Sequence, residues 1–244
     1  MEIILVDKGN SLIPQNIKIQ APDFRNRSPE QIIKENIYFD SVGYAYRSLS
    51  WLDIAKKDRN VCALYYAALE SRQAIEQLLF EELVMSVGTK LDRKEYEKCK
   101  GNSTKFHKII QRLNPDYEKL AEFTKATLSV IPNAPNLIIW DHKILMQHWG
   151  KVSIYLHWGG EPAETTESDT WFNAGVKTVE SSSLYIWETL KSGLHGITMP
   201  NQMEPEIHSL WERFKNNAVD IQGVIRTARI ALPILERRFH NKSH

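Results

Sequence analysis

The stretch from Val61 to Val87 constrains this fold more than any other part of the chain. It reads as one long helix that is apolar on nearly every side: Cys62, Leu64, Tyr65, Tyr66, Leu69, Ile75, Leu78, Leu79, Phe80, Leu83 and Val84. A helix hydrophobic all round has to be enclosed by other elements, so this segment is expected to be the hub of a bundle. Glu70, Arg72 and Glu76 interrupt its middle. Arg72 and Glu76 are four residues apart and lie one turn from each other. A buried charge that loses its partner costs about 3–5 kcal/mol. These groups are therefore expected to be paired, to face water or to line a polar cleft.

Helical pattern continues on both sides of the hub. Ser28-Pro29-Glu30-Gln31 carries the signals of a helix start: a capping serine, proline at the first position and glutamine three residues after the serine. Further helices are expected from Asp40 to Lys57, Asp92 to Cys99, Ser103 to Leu113, Pro115 to Ser129 and Thr170 to Leu190. Others are expected over Glu204 to Lys215 and Asp220 to Arg238, with Pro233 kinking or ending the last. Glu2 to Asp7 and Asn16 to Ala21 read as short strands around the turn Lys8-Gly9-Asn10. Gly193 to Pro205 reads as a loop or a small hairpin through Ile197-Thr198-Met199. The pattern predicts an all-α protein in three parts: an N-terminal arm with short strands (1–35), a helical bundle (36–192) and a C-terminal helical appendage (193–244).

Composition narrows the function classes. The 244 residues are 42% hydrophobic, enough for a sizeable core, and carry a net charge of only +1, so no global basic field points to nucleic acid. Cys62 and Cys99 have no metal-ligand spacing and read as free thiols of a reducing cytoplasm. The N-terminus lacks the pattern of a secretory leader, and no apolar run reaches the ~20 residues of a membrane span.

The best chemical lead is Asp141 to Trp158, DHKILMQHWGKVSIYLHW. It reads as a helix stopped by Gly159-Gly160, and it holds three histidines, Lys151, Ser153 and Tyr155 among aliphatic residues. Polar groups on so apolar a helix need partners. His157 near the helix end, with Ser153 one turn earlier, is a candidate acid or base. No elbow motif surrounds Ser153, so a serine nucleophile is not indicated. His142 and His148 are six apart, whereas two metal ligands on one helix want three or four, so they read as core or surface histidines and no metal site is expected. His107 sits in an amphipathic basic segment that reads as a solvated face. Trp140, Trp149 and Trp158 recur every nine residues, two and a half turns, and so point to alternate faces. One face suits the core and the other a second subunit.

Two stretches resemble the HEPN superfamily, small helical bundles of bacterial defence and toxin–antitoxin systems. NVCALYYAALESRQAIEQLLFEEL, residues 60–83, is similar to the aromatic- and alanine-rich hub helix of that family. HWGKVSIYLHWGG, residues 148–160, is similar to its late helix ending in Ser-x-Tyr-x-His. The resemblance implies a homodimer and a metal-independent endoribonuclease with no cofactor. His157 would move the proton of the attacking 2′-hydroxyl or of the leaving 5′-oxygen. The family places an Arg four to six residues before that His; here Gly150, Lys151 and Val152 fill those positions, and Lys151 is the one cation. Lysine is a point charge where arginine is a planar bidentate donor. In this reading Lys151 offsets transition-state charge, Ser153 neighbours the base, and Glu70, Arg72, Glu76 and Tyr155 support the site. The competing reading is a catalytically inactive HEPN-like module that binds a nucleotide, an antitoxin or another protein and acts by assembly.

Overall fold

The chain is described from a computed structural model, which places residues 22–34, 40–87, 93–94, 97, 106–132, 134, 136–156 and 168–242. Its helices are α1 (Pro29–Lys34), α2 (Ser41–Asp58), α3 (Val61–Val87), α4 (Phe106–Leu113), α5 (Tyr117–Leu128), α6 (His142–Ser153), α7 (Asp169–Lys191), α8 (Pro205–Lys215) and α9 (Ile221–Lys242). Two two-residue strands, β1 (Leu137–Ile138) and β2 (Leu194–His195), complete it. The fold is an all-α helical bundle, as the sequence pattern predicts. The expected N-terminal strands and the helix at 92–99 lie largely outside the described residues.

Local chemistry sets several boundaries. At α1 the amide of Gln31 donates to Ser28 Oγ (3.2 Å) and the amide of Ser28 donates to Gln31 Oε1 (2.7 Å), the reciprocal capping expected there. Asp40 caps α2 by accepting from the Gly43 amide at 2.7 Å. Arg59, in the left-handed region at φ 47°, ends α2, and Asn60 Oδ1 accepts from the Ala63 amide at 3.0 Å to start α3.

α3 is the hub. Leu64, Ile75, Leu79 and Leu83 are essentially inaccessible, and α2, α4, α6 and α7 pack around them. One hydrophobic cluster joins Leu49 and Tyr46 of α2 to Leu78, Leu145, Ile186 and Trp187. A second joins Leu52 and Ile54 to Leu64, Val152, Phe172 and Val179. Ser48 Oγ donates to the Ala67 carbonyl (2.7 Å) and lies 2.7 Å from Ser183 Oγ, pinning α2, α3 and α7 where the core is polar. Enclosure of the hub is incomplete: Tyr66, Leu69, Val84 and Met85 stay exposed. A third cluster packs Leu120 and Phe123 of α5 against Trp211 and Phe214 of α8 and Val224 and Ala228 of α9.

Several expectations are sharpened by the structure. In the Asp141–Trp158 segment the helix ends at Ser153 and residues 154–156 form a turn, while 157 and 158 lie outside the described residues. Ser153 Oγ donates to the Trp149 carbonyl (2.7 Å), and the following amides of Tyr155 and Leu156 reach back three residues, to Val152 and Ser153, tightening the chain out of α geometry. Of the loop or small hairpin expected at Ile197 to Met199 the structure shows the loop, and Leu137 and Ile138 pair in parallel with Leu194 and His195. Gly193 serves that pairing, because a Cβ there would fall 2.1 Å from the Asn136 carbonyl oxygen. Of the kink or end expected at Pro233, the end does not occur: α9 runs through it to Lys242.

Candidate functional site

α6 carries the residues singled out by sequence. It starts on Asp141, whose carboxylate accepts from the amides of Lys143 and Ile144 (2.8 and 3.1 Å). The helix lies against α3 and α7. Trp149 faces α3: its indole N–H donates to Glu76 Oε1 at 2.8 Å, the same oxygen that accepts from Arg72 Nε at 2.9 Å. The Arg72 guanidinium stacks over the Trp149 ring, 4.8 Å from its centroid. The predicted Arg72–Glu76 pair is present, and it ties the hub to α6.

Glu70 is held elsewhere. Its Oε1 accepts from Arg47 Nε of α2 at 2.9 Å, while Oε2 is buried with no hydrogen-bond partner among the described residues. Arg47 lies over the ring of Tyr44. Ser153 is buried and engaged with its own helix backbone. Tyr155 packs edge-on to Trp171 at 5.6 Å and closes on Gly175 of α7, where an added Cβ would lie 3.0 Å from its ring. Lys151 is exposed at the end of α6. His157 lies outside the described residues, so its expected burial beside Lys151 or the Arg72–Glu76 pair is not described either. The structure thus brings Arg72 and Glu76 onto α6 through Trp149, and it places Glu70 with α2.

Two of the histidines set aside in the sequence occupy defined polar settings. His148, half-buried on α6, places Nδ1 2.9 Å from Ser182 Oγ of α7, and its ring stacks on Tyr185 at 4.8 Å with 17° between planes. Burial, and secondarily the Lys151 ammonium, push its pKa below the ordinary imidazole value of 6.5. His142 hydrogen-bonds through Nε2 to Glu82 Oε2 on α3. The other Glu82 oxygen accepts from the Tyr117 hydroxyl at 3.1 Å, and burial together with the Glu82 charge raises the Tyr117 pKa. Glu82 was invisible as a site residue because it stands next to Glu81, and a pair of adjacent carboxylates on a helix reads as a solvated face.

A cavity of about 820 Å³ opens at this same end of α3, lined among others by Val84, Met85, Leu128, Leu137, His195 and Met199. His195 stacks on Trp140 at 5.4 Å, and its Nε2–H donates to the Leu190 carbonyl at 3.2 Å. Its pKa is lowered, chiefly by burial. No group of metal-ligating side chains occurs among the described residues, and no helix among them is long and apolar enough to cross a membrane. No family model matches the chain, and no curated protein or solved structure matches it.

Proposed function

We propose that this chain is an HEPN-like helical module of the bacterial defence or toxin–antitoxin class, acting in the cytoplasm as a metal-independent endoribonuclease. The observation that supports the reading is the C-terminal end of α6. There an exposed cation, Lys151, stands one turn from an imidazole, His148, whose lowered pKa leaves it neutral at pH 7. A cation for phosphate charge and an uncharged base are what cleavage by an adjacent ribose hydroxyl requires without a metal. His157 follows on the same segment as the second proton-transfer group, and Lys151 offsets charge on the pentavalent phosphorus.

The test is an RNA cleavage assay in EDTA on wild type, His157→Ala and Lys151→Arg. Wild type is expected to cut with EDTA present. His157→Ala should lose about 10²- to 10⁴-fold in rate, and Lys151→Arg should keep or raise activity, since a guanidinium adds a bidentate phosphate contact. Loss of cleavage in EDTA would sink the metal-independent reading.

A second reading rests on exposed apolar surface beside the same groups: Ile154 is 69% exposed and Ile144 37%. In that reading α6 docks a second copy, an antitoxin or another protein, and the module works by assembly. Sedimentation at micromolar concentration should give a homodimer under either reading. An inert wild type whose Lys151→Arg variant is also inert selects assembly.

A further inference from the structure

We infer that His148 is the general base of this site, with Ser182 as the residue that positions it. The inference rests on the ribonuclease reading above and adds to it a residue that the Arg–His spacing does not include.

Ser182 has one proton to share between two neighbours. Ser182 is completely buried, and its hydroxyl donates to the Thr178 carbonyl one turn back at 3.0 Å. A serine has a single hydroxyl proton, so toward His148 the same oxygen acts as an acceptor. The contact at 2.9 Å is then His148 Nδ1–H donating to Ser182 Oγ. That fixes the neutral tautomer: the proton sits on Nδ1 and the lone pair on Nε2. Nε2 makes no hydrogen bond among the described residues, and it is not sealed from solvent. Stacking on Tyr185 fixes the plane of the ring. The result is an imidazole with one nitrogen anchored in the core and the other offered outward. Lys151 lies three residues on, on the same side of α6. The titratable and charged groups around His148 are Lys151 on its own helix, Tyr185 on α7, and the Arg72–Glu76 pair that α3 holds against Trp149.

In the step proposed, His148 Nε2 takes the proton of the ribose 2′-hydroxyl as the 2′-oxygen bonds to phosphorus. The bond from phosphorus to the 5′-oxygen breaks, and that oxygen takes a proton from water, to which His148 returns the one it took. The products are a 2′,3′-cyclic phosphate and a 5′-hydroxyl, with no net change in protons and no further reactant.

The experiment has two arms on the full-length protein. In the first, His148→Gln is compared with wild type for cleavage of a short single-stranded RNA in EDTA, with the unfolding midpoint measured alongside. A fall of about 10²- to 10⁴-fold in kcat is expected. Ser182→Ala should lower kcat with little change in KM and shift the acid limb of the pH–rate profile, which loss of packing alone would not do. An active wild type whose His148→Gln variant keeps its rate overturns the base assignment and leaves the ribonuclease reading standing. A wild type that cuts no RNA overturns both. The second arm is independent of activity: nitrogen-15 NMR of the wild-type histidines should show His148 with Nδ1 protonated and Nε2 bare at pH 8. The reverse tautomer overturns the inference whatever the first arm gives.

Discussion

Two polar clusters on α3 and its neighbours are built from similar parts and differ in access. At the far end of α3, Glu82 bonds both His142 and Tyr117, and the side chains of Glu82 and His142 are only 7% and 11% exposed. Near the middle, Glu76 and Arg72 reach Trp149, and their side chains are 37% and 28% exposed. One turn away His148 offers Nε2 outward next to an exposed lysine. A histidine beside a carboxylate is a familiar catalytic pairing, yet here the better-formed pair is the sealed one. Its hydrogen bonds compensate for burial, whereas the open cluster spends fewer of its donors and acceptors on itself. Chemical potential for a substrate lies in what is left unsatisfied at an accessible place, not in the tightness of the pair.

The sharpest way to break this contrast is to delete one carboxylate from each cluster. Glu82→Ala should destabilise the fold by about 1–3 kcal/mol, because it removes a buried acceptor from both His142 and the Tyr117 hydroxyl. Urea unfolding would read this as a lowered midpoint at unchanged slope. Glu76→Ala should cost about 1 kcal/mol, since Arg72 can turn to solvent and only the indole N–H loses a neutral-strength bond. Equal losses at the two positions would mean that the clusters do the same structural work, and the distinction would fall.

Trp149→Phe sharpens it on the open side alone. It keeps the aromatic face under Arg72 and removes the donor to Glu76. A loss of about 1 kcal/mol is expected, and double-mutant coupling with Glu76→Ala should recover most of it, because both variants delete the same bond. Additive losses would show that Trp149 contributes through packing only.

The bundle and its hub were legible in the sequence because periodicity and capping act within one helix. The apolar sweep of Val61–Val87, the serine–glutamine cap at α1 and the Arg72–Glu76 spacing all depend on neighbours within a turn. What was not legible depends on contacts across the chain. Ser182 is one of three serines in a row, Ser181 to Ser183; nothing local says which one holds His148 and which one holds Ser48. The parallel pairing of β1 with β2 joins segments more than fifty residues apart, and two-residue strands leave no alternation to read. Glu82 and His142 likewise meet only because α6 docks on α3. The early end of α6 is a different case: Ser153 bonding back to Trp149 was available from spacing, but the aliphatic run beyond it masked the signal.

The smallest effect, and the most direct probe of the open cluster, is on the acid stability of the fold. His148 in the folded chain titrates below 6.5, its ordinary value. In the unfolded chain it returns to that value, so below 6.5 the unfolded state binds a proton that the folded state refuses. The stability linked to this histidine is therefore fully present above pH 6.5 and is lost as pH falls from there through the folded value. His195, also lowered by burial, adds a loss of the same sign. Lys151→Met removes the lesser cause of the His148 shift and leaves the larger one, burial. Its imidazole midpoint, followed by proton NMR, should rise part of the way toward 6.5, and the melting temperature should fall less steeply between pH 7 and pH 5. At neutral pH the variant should match wild type within about 0.5 kcal/mol, as expected for an exposed position. A midpoint that does not move would place the Lys151 charge out of reach of His148, and the two would no longer form one site.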